Sequence, residues 1–289
     1  MAKLSDGKSI KIQIYVGILI LRKSRKLTDS YLPELKLIAV IPARMASTRF
    51  PGKPLAMIHG ISMIGHVYHR CKMSAILDEV YVATCDDEIM NYIDSIGGKA
   101  IMTKNTHERA SDRVAEATLK IEDATGEKTD IIVLIQGDEP MIIPEMIDEA
   151  VNPLIQDSTI GVSNLMADIK SLEEFEDPNE VKVVIDENNF ALFFSREPIP
   201  SRKKYDKQMP MYKQVCVIPF RRDYLLKFTT LEPTSLEIIE SIDMNRFLEH
   251  GFKVKIVRTN YETFSVDTKK DLEKVQQLMK NDSICAKYC

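Results

Sequence analysis

Residues 37–54 read LIAVIPARMASTRFPGKP, and the fold is decided here. The first five, Leu37–Ile41, form a continuous apolar run of the length expected for a strand covered on both faces. The chain then presents Arg44, Arg49 and Lys53 within ten residues, with Ser47, Thr48 and Gly52 between them. Open α/β sheets bind their ligands at the carboxyl ends of the parallel strands. Three cations, two hydroxyls and a glycine that lets backbone amides approach closely suit an anionic polyphosphate. The segment matches neither G-x-x-x-x-G-K-[ST] nor G-x-G-x-x-G, so it is not one of the common phosphate fingerprints. On this segment alone, a solvated basic loop is the competing reading.

Downstream, short apolar runs alternate with helical periodicity. Met63–Ser74 reads as a helix with Ile64, Val67 and Tyr68 on one face. Glu79–Thr84 is the next strand, and Asp87–Ile96 the next helix, closed by Gly97-Gly98. Lys99–Met102 follows as a short strand, Ser111–Ile121 as a helix, and DIIVLIQ (Asp130–Gln136) as the clearest strand in the chain. Pro144–Gln156 is a helix opened by a proline suited to a first turn. This β-α-β-α-β-α order predicts a parallel sheet with helices on both faces. The second half is less regular. Strands are expected at Ile160–Ala167, Val181–Asp186, Phe190–Phe194 and Tyr212–Pro219, with a basic, proline-containing loop at Glu197–Pro210. A helix at Ser235–Glu249, a strand at Lys253–Arg258 and a helix at Asp267–Met279 complete the pattern. The expectation is one α/β unit with a smaller mixed subdomain inserted.

The 289 residues suffice for a sizeable core without staples. With 39 Lys and Arg against 43 Asp and Glu, the net charge of −4 argues against the broad basic surface of a nucleic-acid binder. The apolar stretch Ile14–Leu21 is far short of the roughly 20 residues that span a bilayer. It reads as an edge strand or an appended leader, and residues 1–36 as an extension. The five cysteines (Cys71, Cys85, Cys216, Cys285, Cys289) include no C-x-x-C pair, and no histidine lies near the last two in sequence. Neither a disulfide framework nor a zinc site is therefore expected, and a reducing cytoplasm is the simplest compartment.

Two acidic positions join the basic loop as candidates. QGDEP (Gln136–Pro140) ends the clearest strand with Asp138 and Glu139, and SVDTKKDL (Ser265–Leu272) places Asp267 before the last helix. Asp138 also fits an ordinary turn, and Asp267 a helix N-cap. Two aspartates plus substrate phosphates are enough to hold Mg²⁺. Asp86-Asp87-Glu88 lacks the D-x-D spacing of a glycosyltransferase metal motif and reads as a helix-start cluster. Among the histidines, His66 reads as structural and His107 as a solvated loop residue.

Taken together, IPAR-ASTR-PGKP, MI-HV, VAT, QGDEPMI, NEVKVV-ID, ALFFSREPIP and VDT-DLEKV, spread over about Leu37–Met279, closely resemble the cytidylyltransferases that activate 3-deoxy-manno-octulosonate (Kdo) for lipopolysaccharide synthesis. The resemblance implies a Rossmann-like nucleotidyltransferase fold over residues 37–289, with an inserted acceptor and dimer subdomain at about 181–233. It implies transfer of CMP from CTP to an acidic sugar by a cytoplasmic homodimer, with Mg²⁺ held by Asp138 and Asp267. Arg44, Ser47, Arg49, Lys53, Arg113 and Gln136 would bind the nucleotide, with Arg49, Lys53, Asp138 and Asp267 catalytic. Glu139, Arg196, Gln214, Glu237 and Asp243 would face the acceptor. On that side the match weakens: the family pattern H-L-G-I-Y-G-Y-R falls on QVCVIPFR (Gln214–Arg221), and E-Q-L-R on Asp243–Arg246. Apolar Ile218 and Met244 replace hydrogen-bonding groups, so an altered acceptor, or a relative that binds nucleotide without turnover, are the alternatives.

Overall fold

The computed structural model describes residues 35–46, 50–203 and 209–289. The expected strand and leader near residues 14–21, and Ser47, Thr48 and Arg49, lie outside the described residues. Residues Lys36–Cys289 form one compact unit.

Two five-stranded sheets organise it. The first has β1 (Leu37–Ala43) at its centre, with β4 (Glu79–Thr84) and β6 (Ile131–Ile135) on either side, both parallel to it. Ile38 pairs with Glu79 and Ile132, and Val40 with Tyr81 and Leu134. β5 (Ala100–Met102) extends the sheet parallel to β4, and β11 (Val217–Arg221) closes the other edge antiparallel to β6. Every residue of Leu37–Ile41 and Ile131–Ile135 is buried, because helices cover both faces. One face carries α1 (Met63–Lys72), α2 (Asp87–Ser95) and α4 (Pro144–Gln156); the other carries α3 (Ala110–Thr125) and α6 (Arg222–Phe228). A two-stranded hairpin, β2 (Met57–Ile58) and β3 (Ile61–Ser62), leads into α1. Ser62 caps that helix by accepting the amide of Gly65, an interaction worth about 1 kcal/mol.

The second sheet is mixed, in the order β12-β7-β10-β8-β9. Its strands are β7 (Ser163–Asp168), β8 (Lys182–Ile185), β9 (Ala191–Ser195), β10 (Tyr212–Val215) and β12 (Lys255–Arg258). It thus draws strands from both sides of the expected 181–233 insertion. α5 (Leu172–Glu176), α7 (Ser235–Glu240), α8 (Asp243–Glu249) and the final α9 (Lys269–Met279) complete the order.

Two expectations are corrected. Tyr212–Pro219 is not one strand: it pairs with β7 as far as Val215, breaks at Cys216, and resumes at Val217 in the first sheet. Pro219 is tolerated there because β11 is an edge strand. Ser235–Glu249 is not one helix either. It breaks at Ser241, which adopts φ 55°, ψ 48°, and restarts after Ile242. The first break falls where the chain passes from the second sheet to the first, and both breaks line the same cleft. Short helices α5 and α6 were not anticipated. Cys285 and Cys289, for which no disulfide was expected, are bonded to each other, while Cys71, Cys85 and Cys216 are free.

Candidate active site

The cleft, of about 450 Å³, opens at the carboxyl ends of β1 and β6, between the first sheet, the β10–β11 crossing and the α7–α8 break. Its floor depends on close packing of backbone. A Cβ on Gly137 would lie 2.9 Å from Ile64 Cδ1 and 3.3 Å from the Pro42 carbonyl oxygen, so only glycine lets the turn after β6 pass the end of β1. The chain leaving β1 is tied down where Asp86 accepts the Met45 amide at 2.8 Å. Asp86 is the N-cap residue of α2, with Asp87 and Glu88 in its first turn. Gly52, at φ 73°, donates its amide to Met45 and opens the short 3₁₀ turn Lys53–Leu55.

That turn delivers Lys53 to two carboxylates. Its Nζ lies 2.9 Å from Asp138 Oδ2 and 3.3 Å from Asp267 Oδ1, with all three side chains mostly buried. Burial by itself pulls the Lys53 ammonium down, but the charges and hydrogen bonds of Asp138 and Asp267 outweigh it and raise it. Residues 85 and 214 positions away are united by two local devices. The Val266 amide donates to the Asp138 carbonyl at 2.9 Å, which lays the segment before α9 beside QGDEP. Thr268, not Asp267, is the N-cap of α9 and forms a capping box with Asp271. The Asp267 carboxylate is thereby directed to Lys53. Asp138 and Asp267 can serve as oxygen ligands for a hard divalent cation, since both lie within reach of one ammonium.

Arg44, Arg113, Gln136, Arg196, Gln214 and Asp243 also line the cleft. Arg113 is 3% exposed and donates one Nη to Thr103 and the Lys104 carbonyl. Its other Nη is buried without a hydrogen-bond partner, a donor available to a bound base or ribose. Arg196 is braced by Nε to the Glu240 carbonyl and Nη to the Pro178 carbonyl, at 2.7 and 2.9 Å. Gln214 donates its amide to Asn164 across the β10–β7 pair. Asp243 accepts both the amide and hydroxyl of Ser111; burial raises its carboxyl while those bonds and Arg109 pull it back. Ile218 and Met244, the apolar replacements, form part of the wall and of the core behind it.

Two expected acceptor residues are placed elsewhere. Glu237 is fully buried and does not line the cleft. It is gripped by Arg246, with Nε and Nη2 at 2.7 and 2.6 Å, and approached by Arg109 Nε at 3.2 Å. This carboxylate holds α7 to α8 from below. Glu139 is not among the residues that line the cleft; it lies within electrostatic reach of buried Lys213, which pairs with Glu174 and Glu180. Burial and the charge of Asp138 push the Glu139 carboxyl up to about 8.

Sequence reasoning missed Arg109, which lines the cleft and bonds Ser241 Oγ at 2.9 Å. It passed over His107 as a solvated loop residue, yet His107 also lines the cleft and is paired with Glu116. Nothing local in THERASDR separates these two from ordinary surface charge. Their placement follows from how α3 meets the α7–α8 break. Among the cleft's described residues five Lys or Arg side chains (Arg44, Lys53, Arg109, Arg113, Arg196) face three carboxylates (Glu108, Asp138, Asp243). The excess is positive, as a polyphosphate requires.

Comparison with known proteins agrees with this geometry. A family model described as cytidylyltransferase matches residues 38–264. The 3-deoxy-manno-octulosonate cytidylyltransferase of Geotalea uraniireducens (strain Rf4) is 44% identical over 256 residues, 85% of this chain and 100% of that protein. Its namesake from Geobacter metallireducens is 45% identical, over 83% of this chain and 96% of the relative. A solved CMP:2-keto-3-deoxy-manno-octonic acid synthetase, complexed with CTP, superposes with a TM-score of 0.77 at 38% identity, covering 84% of this chain and 98% of that one. A 4-diphosphocytidyl-2C-methyl-D-erythritol synthase from Anaerococcus prevotii, at 16% identity and a TM-score of 0.55, shares the fold alone. The chain belongs to the cytidylyltransferase family, with the 3-deoxy-manno-octulosonate cytidylyltransferases among its near relatives.

Proposed function

We propose that this chain is a CTP-dependent cytidylyltransferase that transfers CMP to Kdo and releases pyrophosphate. The single observation that carries this is the meeting of Lys53, Asp138 and Asp267 beside a cation-lined cleft at the carboxyl end of the parallel strands. The acceptor hydroxyl attacks the α-phosphorus, and the bond to the pyrophosphate oxygen breaks. Little covalent chemistry falls to the protein, so positioning and charge neutralisation carry the catalysis. Arg44 and Lys53 hold phosphate oxygens, with Arg49 and Ser47 of the same loop. Arg113 offers its spare donor and Gln136 its amide to the base and ribose.

Asp138 and Asp267 hold Mg²⁺ in this reading. The bound ion would neutralise phosphate charge and make the acceptor hydroxyl more acidic. The two carboxylates keep Lys53 in place, and no separate strong base or covalent intermediate is needed. Arg196, Gln214 and Asp243 face the acceptor; the acid's carboxylate suits Arg196, and its hydroxyls suit the other two.

A homodimer is part of the proposal. β9 is an edge strand whose Leu192 is 61% exposed. α7 adjoins it through the Ser195–Glu240 hydrogen bond and exposes Ile238 and Ile239 at 61% and 74%. Exposed apolar side chains on a sheet edge and on the helix bonded to it are of the kind that a second copy covers. Among the described residues no helix is long and apolar enough to cross a membrane; a cytoplasmic site, where CTP is made, fits the proposed substrate.

The apolar side chains of Ile218 and Met244 in the wall favour one second reading, a cytidylyltransferase for a related acid. The test is pyrophosphate release from CTP and Mg²⁺ with Kdo, its 8-amino analogue, other ulosonic acids and no acceptor. Release with Kdo supports the proposal. Release with another acid alone transfers it to the second reading, and silence throughout with CTP still bound overturns both.

A further inference from the structure

A second cluster of ligand-type side chains lies outside the catalytic cleft. Cys285 Sγ, Cys289 Sγ and a ring nitrogen of His66 all lie within 4.8 Å of one another. None of the three lines the cleft. His66 is fully buried in α1, and Cys285 is 6% exposed in the short 3₁₀ turn Cys285–Lys287. The sequence separates them by more than two hundred residues, which is why the final cysteines had no visible histidine partner.

The imidazole is prepared in the way metal-bound histidines are. Its Nε2 lies 2.8 Å from the Ile58 carbonyl oxygen, which can only accept, so Nε2 carries the proton and donates the hydrogen bond. That bond fixes the tautomer and leaves the Nδ1 lone pair free to accept, and it now accepts from the Tyr288 hydroxyl at 2.8 Å. The Tyr288 oxygen also accepts from Arg70 Nε at 3.0 Å, so a metal on Nδ1 would have to turn the Tyr288 O–H toward solvent or another acceptor. Cys289 is exposed, so an entry path and an open fourth position face solvent.

We propose that Cys285, Cys289 and His66 Nδ1 form a zinc site that is available when the Cys285–Cys289 disulfide is reduced. A dithiol reductant opens the bond: two electrons and two protons pass to the cysteine sulfurs, and the reductant becomes a disulfide. Zn²⁺ then binds both sulfurs as thiolates and displaces their two protons, with water at the fourth position. Tetrahedral zinc with two sulfurs and one nitrogen spaces its ligand atoms about 3.5–3.8 Å apart, inside the 4.8 Å within which the three ligand atoms lie here, once the sulfurs are released from each other. The site would join α1 to the end of the chain. Cys285 and Met279 share a buried cluster with Ile58 and Val266, so the clamp bears on the segment that carries Asp267.

The test uses the full chain, reduced with a phosphine under anaerobic conditions and titrated with Co²⁺ as the spectroscopic probe. The expected result is a thiolate-to-cobalt absorption band saturating at one ion per chain, displaced by Zn²⁺ and absent from the disulfide form. Cys289→Ser, at an exposed position, should fold normally, keep its cytidylyltransferase turnover within about twofold, cut the band by about half and weaken Zn²⁺ binding at least about tenfold. His66→Asn should shift the ligand-field bands, and Cys85→Ser should leave every spectrum unchanged. A reduced wild-type chain with no thiolate band, or a band of equal strength in Cys289→Ser, overturns the proposal.

Discussion

Replacing Glu237 by glutamine separates a supporting role from an acceptor-binding one. The carboxylate is completely buried, receives two hydrogen bonds from Arg246 at 2.7 and 2.6 Å, and lies 3.2 Å from Arg109 Nε. Removing one partner of a buried ion pair costs about 3–5 kcal/mol, because the other charge is left uncompensated. Here Arg246 keeps some support. Asp112 is 3.9 Å away, the Phe228 carbonyl accepts at 3.3 Å, and the guanidinium lies 4.1 Å from the centre of the Phe228 ring. The glutamine also retains one carbonyl acceptor. The lower end, about 3 kcal/mol, is therefore expected. At about 2–4 °C per kcal/mol for a domain near this size, the thermal midpoint should fall by about 6–12 °C. Circular dichroism melts give the midpoint, and steady-state kinetics below the melt give KM for the acceptor, expected to change by less than about threefold. The double variant Glu237→Gln with Arg246→Met should recover part of the loss, since it removes the guanidinium that the single variant leaves buried without its closest partner. A midpoint within about 2 °C of wild type, combined with a tenfold or greater rise in acceptor KM, would refute this reasoning and return Glu237 to the acceptor pocket.

Asp138→Asn should lower kcat at least about 10²–10³-fold with an unchanged circular dichroism spectrum, and near-normal turnover would remove Asp138 from the site. Glu116 gives a pH test. Burial alone would raise its carboxyl, but hydrogen bonds from Lys120, His107 and the Lys104 amide overcome that and hold it at about 2, below the ordinary 4.5. The folded form thus binds its proton less readily than the unfolded form. Its stabilisation is complete above about pH 4.5 and is lost as pH falls toward about 2. The stability difference between wild type and Glu116→Gln, from urea titrations, should be constant from pH 8 to about 5.5 and shrink below about 4.5; a difference that stays flat through acid contradicts the assignment. Ile239→Asp, at a side chain 74% exposed, should leave the monomer's melt almost unchanged but shift the sedimentation coefficient to that of a monomer. An unaltered dimer would place the interface elsewhere.

The sequence alone determined the four parallel strands of the first sheet and where the motif segments leave them. Strands such as Leu37–Ala43 and Ile131–Ile135 are buried on both faces, so their apolar runs stand out without any knowledge of partners. Helices between them show their periodicity, and the ends of α2, α4 and α9 fell within two residues of the expected positions because proline, glycine and capping residues act locally. The candidate nucleotide side could be read in the same way: IPAR runs out of β1, QGDEP follows β6 directly, and VDT leads into the last helix.

Tertiary structure decided what depends on meetings between distant segments. Whether Asp267 is a cap or a site residue turns on Thr268 taking the cap and on Val266 donating to Asp138. That Tyr212–Arg221 divides between two sheets is fixed by its different partners, β7 on one side and β6 on the other, and composition carries no trace of this. Glu237 looked like any polar acceptor contact, since a charge buried in an ion pair and a charge in a pocket are the same letter. Only its enclosure by Arg246 and Arg109 distinguishes them. Likewise His66 and the two final cysteines are remote in the chain and adjacent in space. Local propensity and hydrophobic period act over a few residues, whereas burial, ion pairing and ligand geometry are properties of the packed molecule.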